Sequence, residues 1–497
     1  MVLTGLILLP IVAAIVIPFI KDEKAVRIYS LLVGFAEILL SIPLITGFKP
    51  EGGFQFVEKI PWIPSLGLNY YLGVDGISIL MVLLTTFLLP VTVLCSWTYI
   101  KKRVKEFHIA ILLTTAACVG LFSSLNLVLF YIFWEAILIP MYLIIAIWGG
   151  PRKKYASIKF FLYTLAGSVL LLVSIIAFYK AGGTFSIPEL MNHKFSLSFQ
   201  VLAFIAMAIA FAIKVPMFPL HTWLPAAHVE APTAGSVILA SILLKMGTYG
   251  FLRLCLPLTP EASITLAPLM IVLSVISIIY GGFVALGQTD IKKLIAYSSV
   301  AHMGFVTLGI FMFNLFGVEG AIMQMLNHGI VTGALFIMVG ALYERSHSRE
   351  IVDNLGLSKY LPVFTGFFLL FSLASFAFPG TNSFVGEALV LIGTFAKDVP
   401  TGLAVIPGAM LAAAYMLRLT IKLAWGEPSK AKNWKDLNIR EMAMLVPLAL
   451  LVVYIGVAPK IFIKTIEPSV KTLINHVEKN SGGKLKKSSN IWYGEGR

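Results

Sequence analysis

Apolar runs of about 18 or more residues recur along the whole 497-residue chain, and each is long enough to cross a lipid bilayer as a helix. Charged residues make up only 12% of the chain, about half of their usual share in soluble proteins. A chain with so few charges cannot cover a water-facing surface of its size. The pattern predicts an all-α polytopic membrane protein, and it excludes a soluble enzyme, a secreted disulfide-bonded domain and a nucleic-acid-binding protein.

The apolar runs predict about fourteen transmembrane helices joined by short connections. We number these spans in chain order. They cover about residues 2–20, 28–47, 75–99, 107–124, 126–149, 157–180, 198–228, 232–254, 266–287, 292–314, 318–343, 361–395, 401–425 and 441–463.

Basic residues are distributed unevenly among the loops. Loops after even-numbered spans hold few of them, Arg253 among these, whereas the odd-numbered loops are enriched. Because cytoplasmic loops collect Lys and Arg, this bias predicts that the odd-numbered loops are cytoplasmic and that both termini lie on the outer side of a bacterial cell (inner) membrane. The basic tail from Lys460 onward conflicts with this orientation. The enriched loops hold Lys21, Lys24, Arg27, Lys101, Lys102, Arg103, Lys105, Arg152, Lys153, Lys154, Lys159, Lys292, Lys293, Arg345, Arg349, Lys359, Lys430, Lys432, Lys435 and Arg440.

Four charged residues, Glu135, Lys214, Lys245 and Glu387, lie well inside predicted spans. Each intramembrane charge costs about 2.5–3.5 kcal/mol on an insertion scale. Such groups normally face a polar interior and mark an ion or proton path. The alternative for Glu135 and Lys214 is a static buried ion pair that only holds helices together.

Three further titratable residues interrupt apolar runs. His302 and His328 are candidates for proton transfer because histidine takes up and releases protons near neutral pH. A lone histidine in a membrane span also occurs as a hydrogen-bonded packing residue, and that alternative stays open for both. Glu37 has no matching partner in the pattern, so no role is assigned to it.

Helix-breaking residues stand beside two of the charged positions. Pro216 and Pro219 follow Lys214 in span 7, and Pro379 and Gly380 precede Glu387 in span 12. Proline removes a backbone donor and clashes with the preceding turn, so both helices should break there. Unwound backbone at membrane depth persists only where protein or a water-filled cavity surrounds it, and paired broken helices are typical of transport sites.

The two halves of the chain share a spacing. Glu135 in span 5 precedes Lys214 in span 7 much as His302 in span 10 precedes Glu387 in span 12. Because five is an odd number, the second copy of a five-helix unit must insert into the membrane upside down relative to the first. The pattern therefore predicts inverted repeats of spans 4–8 and 9–13. The predicted organisation is an N-terminal three-helix segment (1–100), the first repeat (101–255), the second repeat (256–425) and a final part with a cytoplasmic loop, the last span and the basic tail (426–497).

These residues suggest a proton relay. A lysine transfers protons only if its proton affinity can be changed, and a carboxylate that approaches or withdraws changes it. Movement of Glu135 relative to Lys214 would therefore switch that lysine between holding and releasing a proton. The successive stations would be Glu135, Lys214, Lys245, His302 and Glu387.

Several segments resemble the antiporter-like subunits of respiratory complex I. They are FWEAILIPMYLI (133–144), AIKVPMFPLHTWLPAAHVEAPTAGSVILASILLKMGTYG (212–250), DIKKLIAYSSVAHMG (290–304) and NHGIVTGALFIMVG (327–340). The resemblance covers nearly the whole chain, and 212–250 is a long and specific match. It implies a proton-translocating subunit with fourteen helices and inverted repeats of helices 4–8 and 9–13.

The resemblance also implies roles for residues. It makes Glu135 the partner of Lys214, Lys245 the central lysine, and Glu387 the terminal station, with His302 and His328 in the connecting polar axis. It implies that one of the complex I paralogues carries glutamate at the position that corresponds to Glu387, whereas the other paralogues carry lysine there. It further implies that this chain holds no redox cofactor, and that NADH, FMN, iron–sulfur clusters and quinone are bound by partner subunits, with neighbouring antiporter-like subunits beside it in the bilayer.

Other functions remain as alternatives. The first is a subunit of a multisubunit Na⁺/H⁺ antiporter, the second a subunit of a membrane-bound hydrogenase-type complex, and the third a structural scaffold. A metal site at His221, His228 and Glu230 is disfavoured, because His-x6-His has no established ligand spacing, and polar lining or helix capping is expected instead. No metal or redox site is predicted at Cys95, Cys118 and Cys255 either, since their spacing fits neither.

Overall fold

The computed structural model describes residues 1–427 and 434–483. Lys430, Lys432 and the part of the basic tail beyond residue 483 lie outside the described residues. Within the described residues, 13 helices are long and apolar enough to cross a membrane, or up to 14 if a bent pair at 351–375 counts as one span. The predicted all-α membrane architecture is confirmed.

The first part of the chain contains four helices and a β-hairpin. The elements are α1 (Val2–Val16), α2 (Glu23–Gly47), β1 (Gln55–Ile63), β2 (Leu68–Val74), α3 (Ile79–Ser96) and α4 (Val104–Ser123). The middle part follows with α5 (Leu127–Ala136), α6 (Leu138–Trp148), α7 (Lys153–Gly182), α8 (Ile187–Met191), α9 (Leu197–Lys214), α10 (Trp223–Glu230) and α11 (Thr233–Leu258).

The remaining elements complete the bundle. They are α12 (Pro260–Thr265), α13 (Ala267–Leu286), α14 (Ile291–Ile310), α15 (Leu315–Ser346), α16 (Pro362–Ser375), α17 (Asn382–Lys397), α18 (Val399–Trp425), α19 (Ile439–Val457) and α20 (Lys460–Lys479). The spans of α11 and α15 are wholly buried, whereas only 33–39% of each span is buried in α1, α2, α13, α18 and α19. Helices α11 and α15 therefore form the centre of the bundle, and the less buried helices carry much of its outer surface.

Both predicted helix breaks are present. Span 7 is divided into α9 and α10, and span 12 into α16 and α17. Span 5 is also interrupted, because α5 ends at Ala136 and α6 begins at Leu138. Pro140 lacks the N–H that would bond the Ala136 carbonyl, so the interruption has a local cause that the sequence analysis did not use.

The β-hairpin between α2 and α3 was not predicted from the sequence. Strands β1 and β2 are antiparallel, and Gly67 at their turn has a φ of 64°, which glycine adopts without strain. Glu58 of β1 accepts hydrogen bonds from the backbone N–H groups of Leu3 (3.0 Å) and Thr4 (3.2 Å). The hairpin thus caps the first turn of α1, whose N–H groups have no partner within the helix.

Helix α20 was predicted only as part of a basic tail. It is amphipathic, and its apolar residues Ile466, Val470, Leu473 and Val477 are buried against the bundle. The backbone N–H of Gly76 donates a hydrogen bond to Ser469 Oγ (2.9 Å). A Cβ atom at position 76 would collide with the Thr465 carbonyl oxygen, so glycine is required for this close approach.

Candidate functional site

The break between α9 and α10 places Lys214 at the last residue of α9. Pro216 cannot continue the helical hydrogen bonds, and the N–H of Met217 bonds the Ala212 carbonyl instead (2.8 Å). The indole Nε1 of Trp223 donates to the carbonyl oxygen of Ile213 (2.7 Å). Carbonyls released by the break are thus bonded within the protein, as a membrane interior requires.

The Lys214 ammonium group lies between aromatic rings. It is 5.2 Å from the ring centroid of Trp134 on α5 and 5.9 Å from that of Phe160 on α7. Lys214 is buried, whereas Glu135 is only partly buried. Within the described part of the chain, Lys214 and Glu135 form no ion pair, and Glu135 Oε1 has no hydrogen-bond partner. The two residues expected to pair are therefore close enough to interact electrostatically but do not form an ion pair.

Lys245 lies in a distorted stretch of α11. Two π-helical turns, Leu239–Leu243 and Phe251–Cys255, flank the segment that carries it. Such turns are rare and occur frequently at functional sites. Its Nζ donates to the Ala240 carbonyl oxygen (2.5 Å) and lies 2.7 Å from Nδ1 of His328 on α15. Lys245 is wholly buried, so these contacts supply its polar environment.

Glu387 is the centre of a second cluster. Its Oε1 lies 2.8 Å from His302 Nδ1, and Gln324 Nε2 donates to the same oxygen (2.9 Å). The hydroxyl group of Tyr415 lies 3.2 Å from His302 Nε2. The cluster joins α14, α15, α17 and α18, and all four side chains are buried.

Gln324 and Tyr415 were missed by the sequence analysis. Gln324 is a polar residue inside a predicted span and was a detectable signal. Tyr415 gave no such signal, because a tyrosine in an apolar run can serve either packing or hydrogen bonding.

A gap separates the two hydrogen-bonded clusters. The rings of His302 and His328 have centroids 5.9 Å apart and are inclined by 58°. Among the described residues, Nε2 of His328 has no hydrogen-bond partner, although it is buried. Proton transfer between the clusters therefore needs a bridging water molecule or a rotation of one ring.

The break before Glu387 is built differently from the one after Lys214. Helix α16 ends at Ser375 and α17 begins at Asn382, and Pro379 lies in the connection. Gly380 has a φ of 90°, a backbone conformation that residues with a side chain rarely adopt. Asn327 Nδ2 donates to the carbonyl oxygen of Asn382 (2.7 Å), which fixes the start of α17 against α15.

His221, His228 and Glu230 do not converge on one point. His228 stacks on Phe336 (4.5 Å between centroids), and His221 lies beside Tyr280 (5.1 Å). Glu230 Oε2 accepts a hydrogen bond from the backbone N–H of Arg152 (2.9 Å). In residues 1–427 and 434–483, no group of three or more His, Cys, Asp or Glu side chains is placed to hold a metal ion.

Arg253 was assigned to a loop, and that assignment is wrong. It lies in the second π-helical turn of α11 and is buried. Its Nη2 is 2.5 Å from Asp75 Oδ1, and its Nε donates to the hydroxyl oxygen of Tyr249 (3.1 Å). This buried ion pair joins the end of the β-hairpin to the helix that carries Lys245.

Glu37 is buried on α2 beside α3. Within the described residues, neither of its carboxyl oxygens has a hydrogen-bond partner. The structure brings it to none of the clusters above.

Two family models match the chain. The model described as "NADH:quinone oxidoreductase/Mrp antiporter, TM" matches residues 124–412, and "NADH-ubiquinone oxidoreductase chain 4, amino terminus" matches residues 6–121.

Curated relatives match over most of their length. NADH-quinone oxidoreductase subunit M of Rhodobacter capsulatus is 48% identical over 478 residues, which are 93% of this chain and 92% of the relative. NADH-ubiquinone oxidoreductase chain 4 of Arabidopsis thaliana is 43% identical over 480 residues, which are 95% of this chain and 97% of the relative.

Solved structures share the fold. A chain of respiratory complex I from Thermus thermophilus with bound NADH has a TM-score of 0.89 and 30% identity, with 96% of this chain and all of that chain covered. A chain of the Mrp complex from Dietzia has a TM-score of 0.83 at 20% identity, with 96% of this chain and 52% of that chain covered; this likeness concerns the fold alone.

Proposed function

Because the chain belongs to the antiporter-like membrane subunits of NADH:quinone oxidoreductase, in the group of subunit M and chain 4, we propose that it moves protons through the buried clusters described above. It is a membrane-arm subunit of complex I. The observation that carries the proposal is the contact of Lys245 with His328 (2.7 Å) between the two wholly buried helices. A charged or exchangeable group so deep in a bundle is typical of a proton pathway.

In the proposed relay, each side chain transfers a proton to the next. Lys245 exchanges a proton with His328, His328 with His302, and His302 with Glu387. Since His302 and Glu387 are 2.8 Å apart, only the step between the two histidines needs rearrangement among these three transfers. Lys214 and Glu135 form the entry stage, in which their separation changes.

We propose that partner subunits perform the redox chemistry. NADH, FMN, the iron–sulfur clusters and quinone would bind there, and this chain would contribute proton translocation without being catalytic alone. The helices that are less than half buried, such as α1, α2, α13, α18 and α19, would face lipid and neighbouring antiporter-like subunits.

The orientation and the domain division also belong to this proposal. The odd-numbered loops would be cytoplasmic in a bacterial cell (inner) membrane, because most loop Lys and Arg lie there. The repeats would be 101–255 and 256–425, and each contains one of the two broken helices, α9–α10 and α16–α17.

A Lys245→Met variant tests the function. In the assembled complex reconstituted in vesicles, NADH-driven proton uptake should fall at least tenfold, since methionine fills a similar volume but carries no proton. The control is Lys422→Met, an exposed lysine near the end of α18, which should leave uptake unchanged. Full proton uptake by an assembled Lys245→Met complex would contradict the proposal.

A further inference from the structure

We propose that Trp134 and Phe160 form an aromatic cage that holds the Lys214 ammonium group away from Glu135. Lys214 would then alternate between two partners, the cage and the Glu135 carboxylate. This inference rests on the proposed proton relay and names a positioning device within it.

The distances place the ammonium group over both rings. The separations of 5.2 Å from Trp134 and 5.9 Å from Phe160 lie within the range of cation–π attraction, and tryptophan is the strongest of the aromatic partners. Other rings fix the cage. Trp134 packs against Phe211 (5.5 Å), and Phe160 against Trp223 (5.4 Å).

Burial gives these contacts their importance. Lys214 is 2% exposed, and a buried charge is costly unless something compensates it. No carboxylate of the described residues forms an ion pair with it, so the ring faces add to the longer-range attraction of the Glu135 carboxylate. Cation–π attraction is strongest in such a desolvated place.

Helix α5 carries both alternative partners, since Trp134 and Glu135 are consecutive. Consecutive residues on a helix differ in direction by about 100°. A rotation of α5 through part of that angle would withdraw the ring and bring the carboxylate toward Lys214. The interruption at Ile137, where the Ala136 carbonyl lacks its helical donor because of Pro140, supplies the place for that rotation.

The competing explanation is packing alone. Phe130 also stacks on Trp134 (5.9 Å), so the ring belongs to an apolar cluster as well. Packing depends on the shape of the ring, whereas cation–π attraction depends on the negative charge of its face. An experiment that changes the charge of the ring face without changing the shape of the ring therefore distinguishes cation–π attraction from packing.

The first measurement compares Trp134→Phe with Trp134→Leu in the assembled complex. Phenylalanine keeps an aromatic face and leucine does not. We expect Trp134→Leu to slow NADH-driven proton uptake about three- to thirtyfold, because loss of the cage traps Lys214 beside Glu135, and Trp134→Phe to restore most of the rate. Phe130→Leu is the matched control for lost aromatic volume, since the described residues give it no contact with the Lys214 ammonium.

The second measurement incorporates mono-, di- and trifluorinated tryptophan, which withdraws charge from the ring face with little change of shape. Uptake should fall stepwise with the number of fluorine atoms. The same series in a Trp134→Phe background controls for every other tryptophan in the complex and should be flat.

The outcomes distinguish this inference from the proposed function. If Lys245→Met stops proton uptake and the fluorination series is equally steep in both backgrounds or flat in both, the cage is overturned and the relay is not. Full uptake by Trp134→Leu would also overturn the cage. Full uptake by Lys245→Met contradicts the relay itself, whatever the tryptophan series shows.

Discussion

Lys245 Nζ and His328 Nδ1 lie 2.7 Å apart, in the middle of the bundle and on its two wholly buried helices, α11 and α15. Because Nδ1 faces an ammonium group, it accepts the hydrogen bond when Lys245 is charged, and the ring proton then resides on Nε2. That nitrogen has no partner among the described residues, and it belongs to the ring that lies next to His302. In the proposed relay, this contact would prepare His328 to pass a proton toward the second cluster.

His328→Ala should interrupt this transfer. We expect NADH-driven proton uptake by the assembled complex to fall at least tenfold, because no other titratable group contacts Lys245 in the described structure. Exposed His193 is the control, and His193→Ala should leave uptake unchanged. An assembled His328→Ala complex with normal uptake would remove His328 from the relay.

Tyr415→Phe should have a smaller effect. The variant keeps the ring but removes the hydroxyl group that faces His302 Nε2 (3.2 Å), so the imidazole is no longer held at both nitrogens. We expect proton uptake to slow about two- to tenfold, consistent with one buried hydrogen bond of about 0.5–1.5 kcal/mol. Vesicle assays with Tyr454→Phe, on an exposed tyrosine, give the comparison. A rate equal to the parent complex would show that His302 needs no such support.

Arg253→Met should destabilise the subunit. It leaves Asp75 as a buried charge without its partner, and breaking a buried pair in this way typically costs about 3–5 kcal/mol. The thermal inactivation temperature of the solubilised complex should fall clearly. Adding Asp75→Asn to Arg253→Met should recover part of the loss, because the uncompensated charge is then gone.

An exposed ion pair serves as the control for the buried pair of Arg253 and Asp75. Arg103 and Glu106 are 3.0 Å apart with both side chains about half exposed, and such pairs contribute little because water screens them. Arg103→Met should therefore leave the inactivation temperature nearly unchanged. If it lowers the temperature as much as Arg253→Met does, burial is not the cause.

Gly76→Ala should loosen α20. The added methyl group would meet the Thr465 carbonyl oxygen, so backbone must shift and the Ser469 contact is lost. We expect faster cleavage of α20 by an added protease in the solubilised complex. Gly366→Ala is the control, since a Cβ there meets no atom within 4 Å. Equal cleavage rates for the two variants would contradict the close contact.

Much of the fold could be predicted from the sequence. The bilayer thickness fixes how long an apolar run must be, so the run lengths gave the number of spans. Pro216, Pro219 and Pro379 remove backbone donors wherever they occur, so the breaks in spans 7 and 12 were local consequences. The hairpin could not be predicted in the same way, since its strands depend on packing against α1, and α20 was concealed in a tail that composition described only as basic.

The candidate site, like the fold, could be predicted from the sequence only in part. The cost of placing charge in lipid singled out Glu135, Lys214, Lys245 and Glu387, because that cost depends on residue type and position in a run. Arg253 escaped this reasoning, since a residue near the end of an apolar run can be in a loop or in a helix.

Partners were decided only by the tertiary structure. Gln324 and Tyr415 contact Glu387 and His302 from other helices, and Lys214 meets aromatic rings rather than Glu135. Contacts of this kind depend on how separate helices are packed and rotated, and the distances involved are a few ångströms. The sequence by itself singled out the charged groups that interrupt apolar runs, and the packing of the helices decided which of them lie within hydrogen-bonding distance of one another.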